Sequence, residues 1–412
     1  MNLFHISLAN LKEKKLNSFL SALLLTLGIG MISLLFLLNK QLDEQFKRNL
    51  KGIDMVVGAK GSPLQVILSS IYQIDAPTGN IPLAEVNALR KNPFVKTVIP
   101  LSMGDNFQGF RIVGTTPKYT EHFQAKLAQG HLHNASMEVT IGSKVAKATN
   151  LKIGDLFAGS HGLDSNGEKH GEKQYKVTGI FEPSGTVVDQ LIVTRLSSVW
   201  DIHEHGDEKQ VPVIEEVEHT ASHVDPEPDE EGKDVTSALI QFRNPMGLMT
   251  IPRQINENTS MQAALPSIEI NRLFSLLGVG IDTLRTLALI IISIAGVSVF
   301  ISLYNSLKER KYEMALMLSM GATRTRLFLM LLIEGLSLAV IGFFAGIIAS
   351  RIGLWLFSKA AEEDFHYSLK KFALLNEEIY LFAGALVIGA VAAALPSLGI
   401  YRLNISRTLA EE

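Results

Sequence analysis

Six of the eleven histidines lie between His161 and His223, and His131 and His133 precede them. His161 and His170 fall in GSHGLDSNGEKHGEKQ, which reads as a long hairpin loop, while His203-x-His205 and His219-x-x-x-His223 sit among many carboxylates. Neutral imidazole nitrogen with carboxylate oxygen is a donor set that suits Zn²⁺. His161, His170, His203, His205, His219 and His223 are therefore the candidate metal ligands. The competing reading is a solvated acidic loop in which histidine is incidental. With no cysteine in the chain, a zinc site here would exchange its ion quickly or discriminate weakly.

Other chemistry is set aside by motif. GAKGSP (Gly58–Pro63) has neither the spacing nor the Lys-Ser/Thr ending of a phosphate loop, and no G-x-S-x-G or H-E-x-x-H is present. The chain is thus expected neither to hydrolyse ATP itself nor to act as a hydrolase. No catalytic residues, no directly bound cofactor other than the possible zinc and no nucleic-acid partner are expected.

Between Lys308 and Arg326 stands KERKYEMALMLSMGATRTR, with five Lys/Arg against two Glu. Met314, Leu316, Met317, Leu318 and Met320 make one apolar face of a helix lying at a membrane surface. Gly321 can end that helix in the left-handed conformation, and Thr323 can cap the next one. Methionine packs adaptably against a partner, so the segment reads as a docking knob. The bland alternative is a plain basic loop.

The elements that position these residues follow from composition. The chain has 412 residues, is 47% hydrophobic and has a net charge of −3. Residues 201–234 hold thirteen acids and two lysines, so the near-neutral sum hides a basic body and one acidic segment. Its part from His203 to Asp234 is charged, contains proline and is poor in aromatics, a composition that suggests disorder. Four apolar windows can cross a bilayer, which takes roughly 20 residues of helix: 18–38, 286–307, 327–351 and 379–401. Glu334 breaks the third, and an acid in hydrocarbon is costly. Gly342, Gly346 and Ser350 form a small-residue stripe for close helix packing. Pro396 should kink or end the fourth helix. Lysines before the first window, the basic 308–326 segment and Arg402 with Arg407 all fall on one side of a four-span topology, which places both termini in the cytoplasm.

Outside the spans, 1–17 is an amphipathic surface helix, and 39–52 and 268–285 carry apolar stripes that suit stalk helices. DMVVGA, VKTVIPLS, GFRIVG, EVTIGS, YKVTGIF, QLIVTRL and SALIQF read as strands, with PLAEVNALRK and PMGLMTIPRQINE as helices between them. The expected architecture is an α-helical membrane protein with four transmembrane helices. A large two-lobed α+β extracytoplasmic domain lies between helices 1 and 2. Segment 352–378 is an outer loop and 402–412 a cytoplasmic tail.

KERKYEMALMLSMGATRTRLFLMLLIEG resembles the E-R-x-x-E-I-x-x-x-x-A-x-G-A pattern of MacB/FtsX/LolC-type permeases, the four-span subunits of mechanotransmitting ABC transporters. Glu309, Arg310, Glu313, Gly321 and Ala322 match, while Met314 and Met320 depart from it. LANLKEKKLNSFLSALLLTLGIGM, EVTIGSKVAKATNLKIGDLF and PSLGIYRLNISRTLAEE resemble the family's opening, outer-domain and closing motifs, with Asn17 and Ile405 as departures. The resemblance implies an ATPase-coupling helix carrying Glu309, Arg310, Lys311, Glu313, Met314, Met317, Gly321 and Ala322. It also implies two copies of a separate ABC ATPase that binds the ATP, and a second permease copy in a homodimer or related heterodimer. A periplasmic or outer-membrane partner and a bacterial inner-membrane location complete it. By the same analogy, 53–120 with 235–267 form one lobe and 121–234 an inserted second. The implied activity is export or periplasmic extraction of a peptide, lipoprotein or hydrophobic compound. Two alternatives stand beside it: zinc or other divalent-metal transport through the His-rich loop, and signalling to a periplasmic enzyme.

Overall fold

The computed structural model describes His5, Ser7, Asn10 and residues 15–162, 173–203, 232–365 and 375–402, without side chains at 203, 360–365 and 402. Two compact units emerge: residues 1–44 with 275–412, and residues 45–274.

The first unit is built from helices long and apolar enough to cross a membrane: Lys15–Leu50, Pro266–Glu309, the apolar part of Arg324–Phe365, and the helix opening at Glu377. The first two belong partly to each unit, since they run without a break through residues 44 and 275. The third continues to Phe365, past the expected span ending at residue 351 and into the segment expected as an outer loop. No glycine or proline after Gly353 interrupts it. The fourth ends at Ser397, one residue after Pro396, and tightens into a 3₁₀ turn at Leu398–Arg402. A spine of Leu25, Ile29, Ile32, Ala288, Ala295, Val299, Leu338 and Ala393 fills the bundle. Close approach depends on small residues. A Cβ on Gly335 would lie 2.5 Å from the Ala393 Cβ, and one on Gly389 would lie 2.7 Å from the Ala339 Cβ.

The second unit is a mixed α/β sheet. Its strands are β1 (Met55–Ala59), β2 (Ile81–Pro82), β3 (Val95–Phe107), β4 (Phe110–Thr115), β5 (Leu127–Gly130), β6 (Glu138–Ile141) and β7 (Leu156–Phe157), followed by β8 (Ser160–His161), β9 (Tyr175–Phe181), β10 (Ile192–Arg195), β11 (Asp234–Val235), β12 (Ser237–Phe242) and β13 (Met261–Ala264). The main order is β13-β1-β12-β3-β4-β10-β6-β9-β5, with β7 on β9 and β8 on β3, and β11 pairs β2 separately. The β13-to-β4 half comes from 55–115 and 237–264, and the β10-to-β5 half from 127–195. The halves join where β10 runs parallel to β4, with Ile192 opposite Ile112 and Arg195 opposite Thr115.

Both faces of this sheet are covered, which explains why its strands read as nearly continuous Val/Ile runs rather than clean alternations. Val56, Ile99, Leu101, Val113 and Leu239 enter one core; Met55, Val57, Val98, Ala238 and Ile240 enter the other. A third cluster around Ile112, Val139, Ile141, Tyr175 and Ile192 fills the β6–β9 side.

Candidate functional site

The segment between the second and third spans folds as a helix, Lys311–Ser319, set off by Arg310 (φ −101°, ψ 17°) and closed by Gly321 at φ +95°. A positive φ of this size is strained for any residue with a Cβ. The helix is held by Met314, which is buried with Leu307, Leu327, Met330, Leu331 and Ile400; Met317 and Leu318 pack at the edge of that cluster. Arg310 is also buried, and Ala322 half-buried. Glu309, Lys311, Glu313 and Gly321 are exposed. The apolar residues thus divide: Met314 anchors, while Tyr312, Leu316 and Met320 face outward, Met320 at 80% exposure. The sequence expectation of a single face from Met314 to Met320 becomes two faces with different tasks. Arg324, one residue beyond Thr323, donates to the Tyr401 carbonyl at 2.9 Å and ties the start of the third helix to the end of the fourth.

Gly342, Gly346 and Ser350 lie along the first helix. A Cβ on Gly342 would come within 2.6 Å of the Leu25 Cβ, a Cβ on Gly346 within 3.1 Å of Gly30 N, and Ser350 Oγ is 3.0 Å from Ser33 Oγ. Glu334, 2% exposed, accepts a hydrogen bond of 2.6 Å from Asn10 Nδ2, and Ser7 Oγ donates to the Met330 carbonyl at 3.0 Å. The acid inside the third span is therefore matched by the N-terminal segment.

At the other end of the bundle lies a polar knot not anticipated from sequence. Arg351 Nη2 bonds both Glu378 oxygens at 2.8 and 2.9 Å, Ser33 Oγ donates to Glu378 Oε1 at 2.8 Å, and the Leu375 N–H reaches Glu378 Oε2 at 3.3 Å. First, third and fourth helices thereby share one charge-assisted network. A buried ion pair is tolerable only when its remaining hydrogen-bonding capacity is used in this way. The sequence signal was an Arg and a Glu at the ends of two apolar runs, which ordinarily reads as interface anchoring.

The end of the first helix is fixed to the sheet domain by residues of that same unit. Phe46 packs on Tyr72 (centroids 4.6 Å) and Phe274 (5.3 Å), Arg48 Nη1 donates to the Gly185 carbonyl at 3.2 Å, and Asn49 Oδ1 accepts from the Val187 N–H at 2.9 Å. Tyr72 ends a π-helical turn, Leu68–Tyr72, which terminates at Gln73 in the left-handed region. The turn grows from a short helix started by Ser62 and Pro63 of the GAKGSP stretch, where proline suits the first helical position, while Gly58 of the same stretch lies in β1.

Of the candidate metal ligands, His161 lies in β8 with Nδ1 3.3 Å from Asp105 Oδ1 and its side chain 58% exposed. His203 ends the helix Leu196–His203, with its side chain outside the described residues. His170, His205, His219 and His223 lie outside the described residues. Among the described residues no group of three or more His, Asp or Glu is arranged to hold a metal.

Two family descriptions match the chain: a MacB-like periplasmic core domain over residues 18–225 and an FtsX-like permease C-terminal region over 285–405. The chain belongs to the MacB/FtsX-type permeases of ABC transporters. Among solved structures, the periplasmic region of MacB from Actinobacillus actinomycetemcomitans aligns at 12% identity and TM-score 0.34, over 55% of this chain and 95% of that one. The extracellular domain of the noncanonic ABC-type transporter YknZ from Gram-positive bacteria aligns at 11% identity and TM-score 0.31, over 51% and 98%. No curated protein matches the chain. The protein is thus a membrane permease subunit with an extracytoplasmic domain between its first two spans.

Proposed function

We propose that the chain transmits ATP-driven motion from separate ATPase subunits on the cytoplasmic side to its extracytoplasmic sheet domain, for export or periplasmic extraction of a peptide, lipoprotein or hydrophobic compound. In this reading both termini and the Lys311–Ser319 helix are cytoplasmic, and two permease copies work with two ATPases. The carrying observation is the division of that helix into a buried anchor, Met314, and an outward face of Tyr312, Glu313, Leu316 and Met320. An exposed apolar group beside a charge, on a helix fixed to the ends of the spans, is what a mechanical contact needs. The anchor transfers force and the outer face engages a groove. Continuity of the first two helices beyond the bilayer-length windows supports the other end of the path.

The test is affinity purification of the full chain from cells that express its ATPase. Leu316→Lys and Met320→Lys should abolish ATPase recovery while the permease keeps its yield and melting temperature. Undiminished recovery with the double variant would remove this face from the coupling role.

A further inference from the structure

In the sheet domain, away from the segments that the coupling role uses, a cavity of about 390 Å³ opens at the junction of the two sheet halves. That volume is within the roughly 300–1,000 Å³ of small-molecule pockets. Its walls include Thr115 and Arg195, the last residues of the parallel neighbours β4 and β10. Carboxyl ends of adjacent parallel strands are where α/β sheets present ligand crevices, because the connections diverge there.

The lining is chemically specific. Arg195, Lys233 and Asp201 are the charged residues of the lining. Arg195 is oriented by its Nη1 bond of 2.7 Å to the Asn134 carbonyl. Asp201 already accepts from Ser136 Oγ. Trp200 supplies an apolar wall; its Nε1 is fixed on the Asp234 carbonyl at 2.8 Å and Lys233 Nζ lies 5.6 Å from its ring centroid. Thr116 also lines the cavity. Burial and the neighbouring Arg195 push the His133 imidazole down to about 4, so at neutral pH it adds no charge.

From these walls we infer that the cavity binds a small ligand bearing one oxyanion group, carboxylate or phosphate, joined to an apolar or aromatic portion. The oxyanion meets Arg195 and Lys233, Arg195 offering the forked geometry that fits such groups. The apolar part lies on Trp200.

The chain has two tryptophans, Trp200 and Trp355, so Trp355→Phe makes emission a reporter of Trp200 alone. The full chain carrying this change, in detergent or nanodiscs, is titrated with N-acetylphenylalanine, with phenyl phosphate and with N-acetylphenylalaninamide. A saturable change with Kd below about 1 mM is expected for one or both anions, and at least tenfold weaker binding for the neutral amide. Which anion saturates assigns the site to carboxylates or phosphates. Arg195→Gln is expected to weaken binding about ten- to hundredfold, with Lys233→Gln weakening it less. No saturable response to either anion, equal binding of the amide, or unchanged affinity in both variants would overturn the assignment.

Discussion

Tyr72 Oη donates to the main-chain carbonyl of Phe46 at 3.2 Å, so a side chain from the π-helical turn of the sheet domain bonds directly to the backbone of the first long helix. Two residues further on, Arg48 and Asn49 bond the segment around Gly185 and Val187. One turn of helix therefore grips both the first sheet half, through Tyr72, and the segment leading into β10 of the second. Tyr72→Phe should lower stability by about 1 kcal/mol, the net worth of one hydrogen bond. Phe46→Ala removes a ring packed between Tyr72 and Phe274 and should cost about 3 kcal/mol. Thermal unfolding of the full chain measures both; a Phe46→Ala protein that melts like the parent would show that this ring does not stabilise the joint.

The Arg351–Glu378 pair makes a second prediction. Both side chains are nearly buried, at 11% and 7% exposure. Removing one partner strands the other charge, so Arg351→Met should destabilise by about 3–5 kcal/mol. Arg351→Met combined with Glu378→Met should be closer to the parent than either single change. Melting temperatures of the purified chain in one detergent give the comparison, and additive losses would argue against coupling between the two residues.

The small-residue stripe gives a third. With a Cβ on Gly342 only 2.6 Å from Leu25 Cβ, Gly342→Val forces the first and third helices apart, because a Cβ is fixed to its helix backbone and cannot swing away. Overpacking typically costs about 1–3 kcal/mol. Gly384→Val, at a site with nothing within 4 Å, should be tolerated; equal loss of folded yield in the two would reject the packing argument.

His133 predicts the acid sensitivity of the sheet domain. Its pKa is lowered from 6.5 to about 4, first by burial, then by Arg195, with Glu138 opposing. A depressed histidine stays neutral in the fold while the unfolded chain takes up a proton, so its contribution is full above pH 6.5 and lost as pH falls towards 4. The span corresponds to about 3 kcal/mol. His122 is shifted in the same direction, chiefly by burial. His133→Gln, which can still bond Thr140, should flatten unfolding midpoints measured between pH 4 and 6.5. An unchanged slope would place the acid sensitivity elsewhere.

Periodicity and apolar runs made much of the fold readable. The four spans are long uncharged windows, and all seven expected strands are present because Val/Ile runs bounded by Gly, Pro or Asn have few alternatives. What stayed hidden depends on distant partners. β3 runs on through Met103–Phe107, beyond VKTVIPLS, because the irregular pairing between Met103 and Asn106 lets it keep β4. Residue types alone could not say that Met314 turns inward while Met320 turns outward, since both are methionines on one short helix. Nor could they say that Glu334 meets Asn10, 324 positions away. The apolar stripes ahead of the second span were visible, but the Phe46–Tyr72–Phe274 cluster joins three separate stretches and has no local signature.

The central claim is that the Lys311–Ser319 helix and the sheet domain lie on opposite sides of the membrane, joined by continuous helices. The absence of cysteine allows a clean measurement. Single variants Lys311→Cys and Lys96→Cys, both at exposed positions, are treated with a membrane-impermeant maleimide in intact spheroplasts and again after permeabilisation. The account predicts that Lys96→Cys labels at once and Lys311→Cys only after permeabilisation. Labelling of both from the same side would contradict it.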